Sequence, residues 1–253
     1  MAITAQLVKE LRDMTAAGMM DCKKALVEVE GDLEKAVDWL RQKGMAKAAK
    51  KSGRATSEGL VTVATSADGM HNAMGSLLCE TDFVARGEQF QTMASRVTQV
   101  ILDKAPADAE ALEALMGEEV TQLIASVGEN MQLGKFARFS KKGANDVVGQ
   151  YIHANSKIGV LVYLTCGKAE SATKPEVLEL AKNLSMQVAA ASPLALDASC
   201  LDPAAVERER EVYRQKAIEE GKPAQIVDKI ADGAVKKFQK EVCLMEQPFI
   251  RDD

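Results

Sequence analysis

Between Cys79 and Val84 the chain changes its hydrophobic period. The strand-like run Met74 to Cys79 gives way to the helical spacing of Phe90, Met93, Val97 and Ile101. A switch this abrupt demands a strand-to-helix corner, and the corner reads Thr81-Asp82-Phe83-Val84. Phe83 has two readings there. It shares a seven-residue spacing with Phe90 and Val97, which puts all three on one helical face and buries the ring. Alternatively the ring projects as an apolar wedge into a partner, with Asp82 as the polar half of the contact and as a carboxylate cap for the helix.

Upstream, residues 4–43 read as three short helices, with stripes Leu7, Leu11, Met14; Cys22, Leu26, Val29; and Leu33, Val37, Leu40. Gly18 and Gly31 punctuate them, and Asp32 is the expected N-cap of the third. A unit this small is marginal as an independent fold and reads as an interaction module. The run 41–54 that follows is basic without a single acid. It reads as a solvated linker ending in a helical turn or as a basic face for an acidic or RNA surface; missing aromatics favour the linker.

Residues 58–140 read as an α+β unit. Strands Leu60–Thr65 and Ala73–Cys79 form a hairpin across Asp68-Gly69, helices follow near 86–104 and 108–125, and a third strand runs from Met131 to Phe139. Along it Met131, Leu133, Lys135, Ala137 and Phe139 are expected on one face. A second α+β unit starts at Val147, with antiparallel strands 147–154 and 158–166 and a helix from Pro175 to about Ala191. From Pro203 to Val242 two charged helices turn at Gly221-Lys222-Pro223. Their stripes are Val206, Tyr213 and Ala217 on one, and Val227, Ile230, Ala234, Phe238 and Val242 on the other, which makes a protruding antiparallel hairpin. Its occupant is the body of the chain, a second copy or another protein.

Composition narrows the chemistry. The formal net charge of −5 gives no general pull toward phosphate backbones, and 4% aromatic residues leave little for base stacking. No direct nucleic-acid contact is expected. No run of about 20 apolar residues occurs, so no membrane span is expected, and Met1 leads into a helix without a secretory pattern. A cytoplasmic protein with five free thiols is therefore expected, since Cys22, Cys79, Cys166, Cys200 and Cys243 include no Cys-x-x-Cys pair. Neither they nor His71 and His153 have metal-site spacing. No phosphate-binding glycine loop and no nucleophile elbow occurs, so no catalytic residue, cofactor or metal is assigned. Acid pairs such as Glu118-Glu119 and Glu219-Glu220 read as solvated helix faces.

Several segments together resemble one family. The opening Leu7-Val8-Lys9-Glu10-Leu11-Arg12 and Thr15-Ala16-Ala17-Gly18-Met19-Met20-Asp21-Cys22-Lys23-Lys24-Ala25-Leu26 is similar to the signature of elongation factor Ts, and Thr81-Asp82-Phe83-Val84 is similar to its second signature. Val127-Gly128-Glu129-Asn130, His153 before Ile158-Gly159-Val160-Leu161-Val162, and Gly221-Lys222-Pro223 add to the match, which runs from Ala2 to about Ile250. The resemblance implies an α+β fold with an N-terminal three-helix bundle of the ubiquitin-associated type. Two α+β core subdomains with antiparallel sheets and the helical hairpin complete it. The implied division is 1–54 (docking module plus linker), 55–143 (first subdomain), 144–200 with 243–253 (second subdomain) and 201–242 (hairpin).

It further implies guanine-nucleotide exchange on elongation factor Tu in translation, without catalysis by the chain itself. Thr81, Asp82, Phe83 and Val84 would disturb that partner's magnesium site; Met19, Met20, Lys23, Val127, Gly128 and His153 would add contacts. The hairpin would serve a homodimer or a two-plus-two complex. Longer members of that family continue beyond the residues matching Ile250, so the second sheet is expected to be a strand short. The rival reading is an RNA-associated or ubiquitin-type adaptor acting through residues 1–54 alone.

Overall fold

The computed structural model describes residues 3–15 and 17–251. Its contacts divide the chain into two units, residues 1–142 with 152–159, and residues 143–151 with 160–253. The architecture is α+β with antiparallel sheets.

The first unit opens with α1 (Ala5–Thr15), α2 (Met19–Glu28) and α3 (Leu33–Ala49), a three-helix bundle around Leu11, Cys22, Ala25, Leu26 and Ala36. Asp32 caps α3 as expected, its carboxylate accepting the Lys35 N–H at 3.1 Å. The stripe of α1 is shifted: Val8 and Leu11 are buried, whereas Met14 faces outward. The basic run differs more. Residues 41–49 are not a linker but the second half of α3, which packs along the helix Ala109–Val127. Gly44 is buried there, a Cβ on it lying 3.4 Å from the Ala125 Cβ, and Ala48 packs on the core beneath. Charge in this run reports only the solvent side of a helix whose other side is small and apolar.

Strands β1 (Glu58–Thr65), β2 (His71–Cys79) and β3 (Met131–Ser140) form an antiparallel sheet with β2 central. Between β2 and β3 run α4 (Asp82–Ala85), α5 (Glu88–Lys104) and α6 (Ala109–Val127). Leu77, Phe90, Ala94, Val97, Ile101, Leu112, Met116 and Ile124 fill the space between helices and sheet. At Gly75 an added Cβ would sit 2.7 Å from Ile101 Cδ1 and 2.9 Å from Thr98 Oγ1, so this glycine sets how close α5 lies to the sheet. The expected alternation of β3 fails halfway. A bulge between Gly75 and Leu77 shifts the register, so Met131 and Leu133 pack inward and then Phe136, while Lys135 and Ala137 are exposed. A bulge inserts one residue and moves everything beyond it to the other face.

The second unit pairs β4 (Asp146–Ile152) with β5 (Gly159–Thr165) in a two-stranded sheet. Asp146 is buried and accepts from the Tyr163 hydroxyl at 2.6 Å and the Thr165 hydroxyl at 2.8 Å. Val147, Ala172 and Ala181 make a small core with α7 (Ala169–Ala172) and α8 (Pro175–Ala191). A 3-10 turn at Ala198–Cys200 precedes α9 (Pro203–Glu219) and α10 (Ala224–Val242), the expected hairpin. Gly221 turns it at φ 72°, and the Lys222 N–H reaches the Ala217 carbonyl at 3.0 Å. Its seam buries Ala217, Val227 and Ala231, flanked by Arg210–Asp232 at 2.8 Å and Arg214–Asp228 at 3.2 Å. Ile230, expected in the seam, is exposed because the smaller Ala231 occupies the close approach.

Candidate partner-binding site

β2 ends at Cys79, and the chain stays extended through Thr81 (φ −127°, ψ 154°) before α4 begins. An extended residue just before the first helical one is the N-cap position, so the cap is Thr81 and not Asp82. The Thr81 hydroxyl oxygen accepts the Val84 N–H at 3.4 Å. Asp82 already lies in the first turn, where its carboxylate pairs with Arg86 at 3.1 Å.

Phe83 is 84% exposed. Its seven-residue relation to Phe90 is broken because α4 ends at Ala85 and α5 starts afresh after an extended Gly87 (φ −70°, ψ 139°). Phase cannot carry across a break in the helix, so the face that buries Phe90 says nothing of Phe83. Val84 and Ala85 turn inward onto the core in its place.

Gly128 caps the end of α6 at φ 94°, its N–H reaching the Ile124 carbonyl at 3.0 Å. Val127 packs partly on the core, and the turn delivers Glu129 and Asn130 to the Thr81 corner. Glu129 accepts the Thr81 N–H at 3.0 Å and the Thr81 hydroxyl at 2.6 Å; Glu80 accepts the Asn130 N–H at 2.6 Å. That N–H, with Arg54 nearby, holds the Glu80 carboxyl below its ordinary range. Burial, with Glu129 adding to it, pushes the Cys79 thiol up to about 11, so it is neutral under ordinary conditions.

His153 is exposed in the turn after β4, its N–H reaching the Ile158 carbonyl at 2.9 Å. The turn leans on β1 through the Val61 N–H to the Ser156 carbonyl at 2.7 Å. A Lys157–Glu58 ion pair at 2.6 Å adds a second hold. Residues 81–83 and 154–157 line one open cleft of about 780 Å³. The structure thus brings the Thr81–Val84 corner, Val127-Gly128 and the His153 turn into one neighbourhood. Met19, Met20 and Lys23 form a separate exposed cluster on α2, the two methionines 57% and 75% exposed.

Sequence reasoning left Glu129 and Asn130 without a role and missed Arg86. A capping threonine normally receives its reciprocal acid three residues later, where this chain has Val84. Among the described residues no group of three or more His, Cys, Asp or Glu is arranged to hold a metal, and no helix is long and apolar enough to cross a membrane.

Comparison with known proteins bears on this geometry. A family model described as elongation factor TS matches residues 80–253. Elongation factor Ts of Desulfovibrio desulfuricans (strain ATCC 27774 / DSM 6949 / MB) is 83% identical over 252 residues, covering 100% of this chain and 88% of that protein. That of Nitratidesulfovibrio vulgaris (strain DP4) is 56% identical over 253 residues, covering 100% and 86%, and that of Clostridium perfringens (strain 13 / Type A) is 45% identical over 260 residues, covering 99% and 83%. With a family model across most of its length and close relatives spanning all of it, the chain belongs to the elongation factor Ts family of translation elongation factors.

Proposed function

We propose that the chain is a guanine-nucleotide exchange factor that binds elongation factor Tu carrying GDP and promotes GDP release in the cytoplasm. The observation that carries the reading is Phe83, a large apolar ring held almost fully in solvent at a corner whose neighbours are all pinned. Exposed aromatic rings on rigid supports are what protein interfaces use as anchors.

In this reading residues 1–54 dock on the partner through Met19, Met20 and Lys23, and the subdomain formed by residues 55–143 presents Thr81, Asp82, Phe83 and Val84. Val127, Gly128 and His153 widen that contact. Phe83 enters between elements that support the partner's magnesium ion; with the ion displaced, the β-phosphate loses its bridging charge and GDP leaves. No bond is made or broken by this chain. Linkage makes the effect reciprocal, and a thousandfold weakening of nucleotide corresponds to about 4 kcal/mol of coupling. A few buried side chains supply that much.

The adaptor alternative needs residues 41–54 as a free basic segment, whereas residues 41–49 are helical and half committed to packing on α6. The deciding experiment is release of a fluorescent GDP analogue from elongation factor Tu with this chain substoichiometric. Acceleration with turnover is expected; an unchanged release rate would sink the proposal.

A further inference from the structure

The Phe83 corner is held from outside its own segment. Glu129 gives both carboxylate oxygens to Thr81, Oε2 accepting the backbone N–H at 3.0 Å and Oε1 the hydroxyl at 2.6 Å. In the opposite direction Glu80 Oε1 accepts the backbone N–H of Asn130 at 2.6 Å. The dipeptides 80–81 and 129–130 therefore each lend a carboxylate to the other's backbone. Asn130 adds a third tie. Its side chain is buried, and Nδ2 donates to the carbonyl of Arg54 at 2.8 Å and to that of Ser52 at 3.4 Å. Residues 52–54 are where the chain leaves α3.

The proton count gives Glu129 a specific task. A threonine hydroxyl carries one proton and two lone pairs, and an ionised carboxylate can only accept. Once that proton is committed to Glu129, the oxygen has only lone pairs left to offer the Val84 N–H, which is the polarity an N-cap requires. A four-residue helix has almost no stability of its own, so the direction of Phe83 depends on this cap.

We propose that Glu129 and Asn130 are positioning residues for the partner contact. Glu129 aims Phe83 by setting the Thr81 hydroxyl; Asn130 ties the exit of α3 to the same corner and, together with the packing of α3 on α6, holds the α2 face and Phe83 at a constant spacing toward one protein partner. The inference rests on the exchange-factor reading above, and it divides the labour. Loosening Phe83 leaves docking through α2 intact and slows the release step. Loosening the α3 exit leaves the wedge intact and weakens binding, because two surfaces no longer arrive pre-spaced.

Two measurements test it. In the free chain, amide hydrogen exchange at Val84 is expected to quicken at least about tenfold in Glu129→Ala, while the Val97 and Ile101 amides of α5 keep their protection. In GDP release from elongation factor Tu, Glu129→Ala is expected to lower the maximal rate at least about tenfold with the half-saturating concentration within about threefold. Asn130→Ala should do the reverse, and Glu129→Gln, which keeps one acceptor oxygen but turns an amide NH2 toward the other Thr81 donor, should restore the rate only in part. Unchanged Val84 exchange overturns the inference, whatever becomes of the activity. So does loss of rate and affinity together in both variants in step with a lowered melting temperature. If the unmutated chain fails to speed GDP release, the exchange-factor reading falls, while the Val84 amide still reports whether Glu129 holds the corner.

Discussion

Arg41 and Glu118 lie 77 residues apart and meet in a two-point ion pair, Nε to Oε1 at 2.9 Å and Nη2 to Oε2 at 2.9 Å. The pair bridges α3 and α6, and both side chains are about half exposed, so water screens much of it. Beneath it the two helices touch at Gly44 and Ala125. Of the two contacts, the buried one is expected to dominate. Arg41→Ala should cost about 0–1 kcal/mol and lower Tm by at most about 2–4 °C. Gly44→Leu puts a branched side chain where even a Cβ would lie 3.4 Å from the Ala125 Cβ, an overpacking expected to cost about 1–3 kcal/mol. Thermal unfolding of both variants checks the order, and a larger loss from Arg41→Ala would reverse it.

Phe83→Ala distinguishes support of the fold from contact with a partner. Truncating a buried phenylalanine costs about 3–5 kcal/mol, but a ring this exposed leaves no cavity. The variant is expected to melt within about 2 °C of the unmutated chain and to slow GDP release at least about tenfold. Melting and exchange should be measured on one preparation, so that a folded variant exchanging at full rate would be unmistakable.

The Thr81 cap predicts that two adjacent substitutions differ. Thr81→Ala removes the acceptor for Val84 and strips Glu129 of one of its two donors, an expected loss of about 1–3 kcal/mol. Asp82→Ala removes only a surface pair with Arg86 one turn away, worth about 0.3–0.5 kcal/mol. Denaturant titration resolves the difference; equal losses would mean that Asp82 shares the capping.

Glu80 should leave a mark on the acid limb of stability. A carboxyl whose folded value lies below its unfolded one stabilises the fold above the unfolded value, and that contribution disappears as pH falls through the folded value. The Asn130 N–H and Arg54 put Glu80 in this class, against an ordinary value of 4.5. The stability gap between the unmutated chain and Glu80→Gln is therefore expected to be constant near neutrality. It should narrow as pH drops below 4.5. A gap that widens on acidification would contradict the sign.

The thiols should separate by accessibility. All five cysteines are free, with Cys200 exposed and Cys22, Cys79 and Cys243 buried. A chromogenic disulfide reagent under native conditions is expected to modify Cys200 first and Cys79 among the last, because its thiol is both buried and held neutral. Peptide mapping after partial labelling identifies the order.

The elements that came straight from sequence share a property: their determinants lie within a few residues. Gly221 and Pro223 turn the hairpin, Asp32 caps α3, and the period change at Cys79 marks the corner, each through local backbone chemistry. The family, too, was legible in short motifs such as Thr81-Asp82-Phe83-Val84. What needed the tertiary structure were the matters decided between distant segments. Whether residues 41–49 are helix or linker depended on the α6 surface they lie against, which no charge count reveals. The facing of Phe136 depended on a bulge between the Gly75 and Leu77 pairings, since one inserted residue reverses every side chain beyond it. The seven-residue spacing put Phe83 on the core face with Phe90, and only the break at Gly87 shows that the two are out of phase. And the cap that aims it belongs to Thr81 only because Glu129, 48 residues away, claims the hydroxyl proton. A hydrogen bond between remote segments has no periodicity, so only the folded chain displays it.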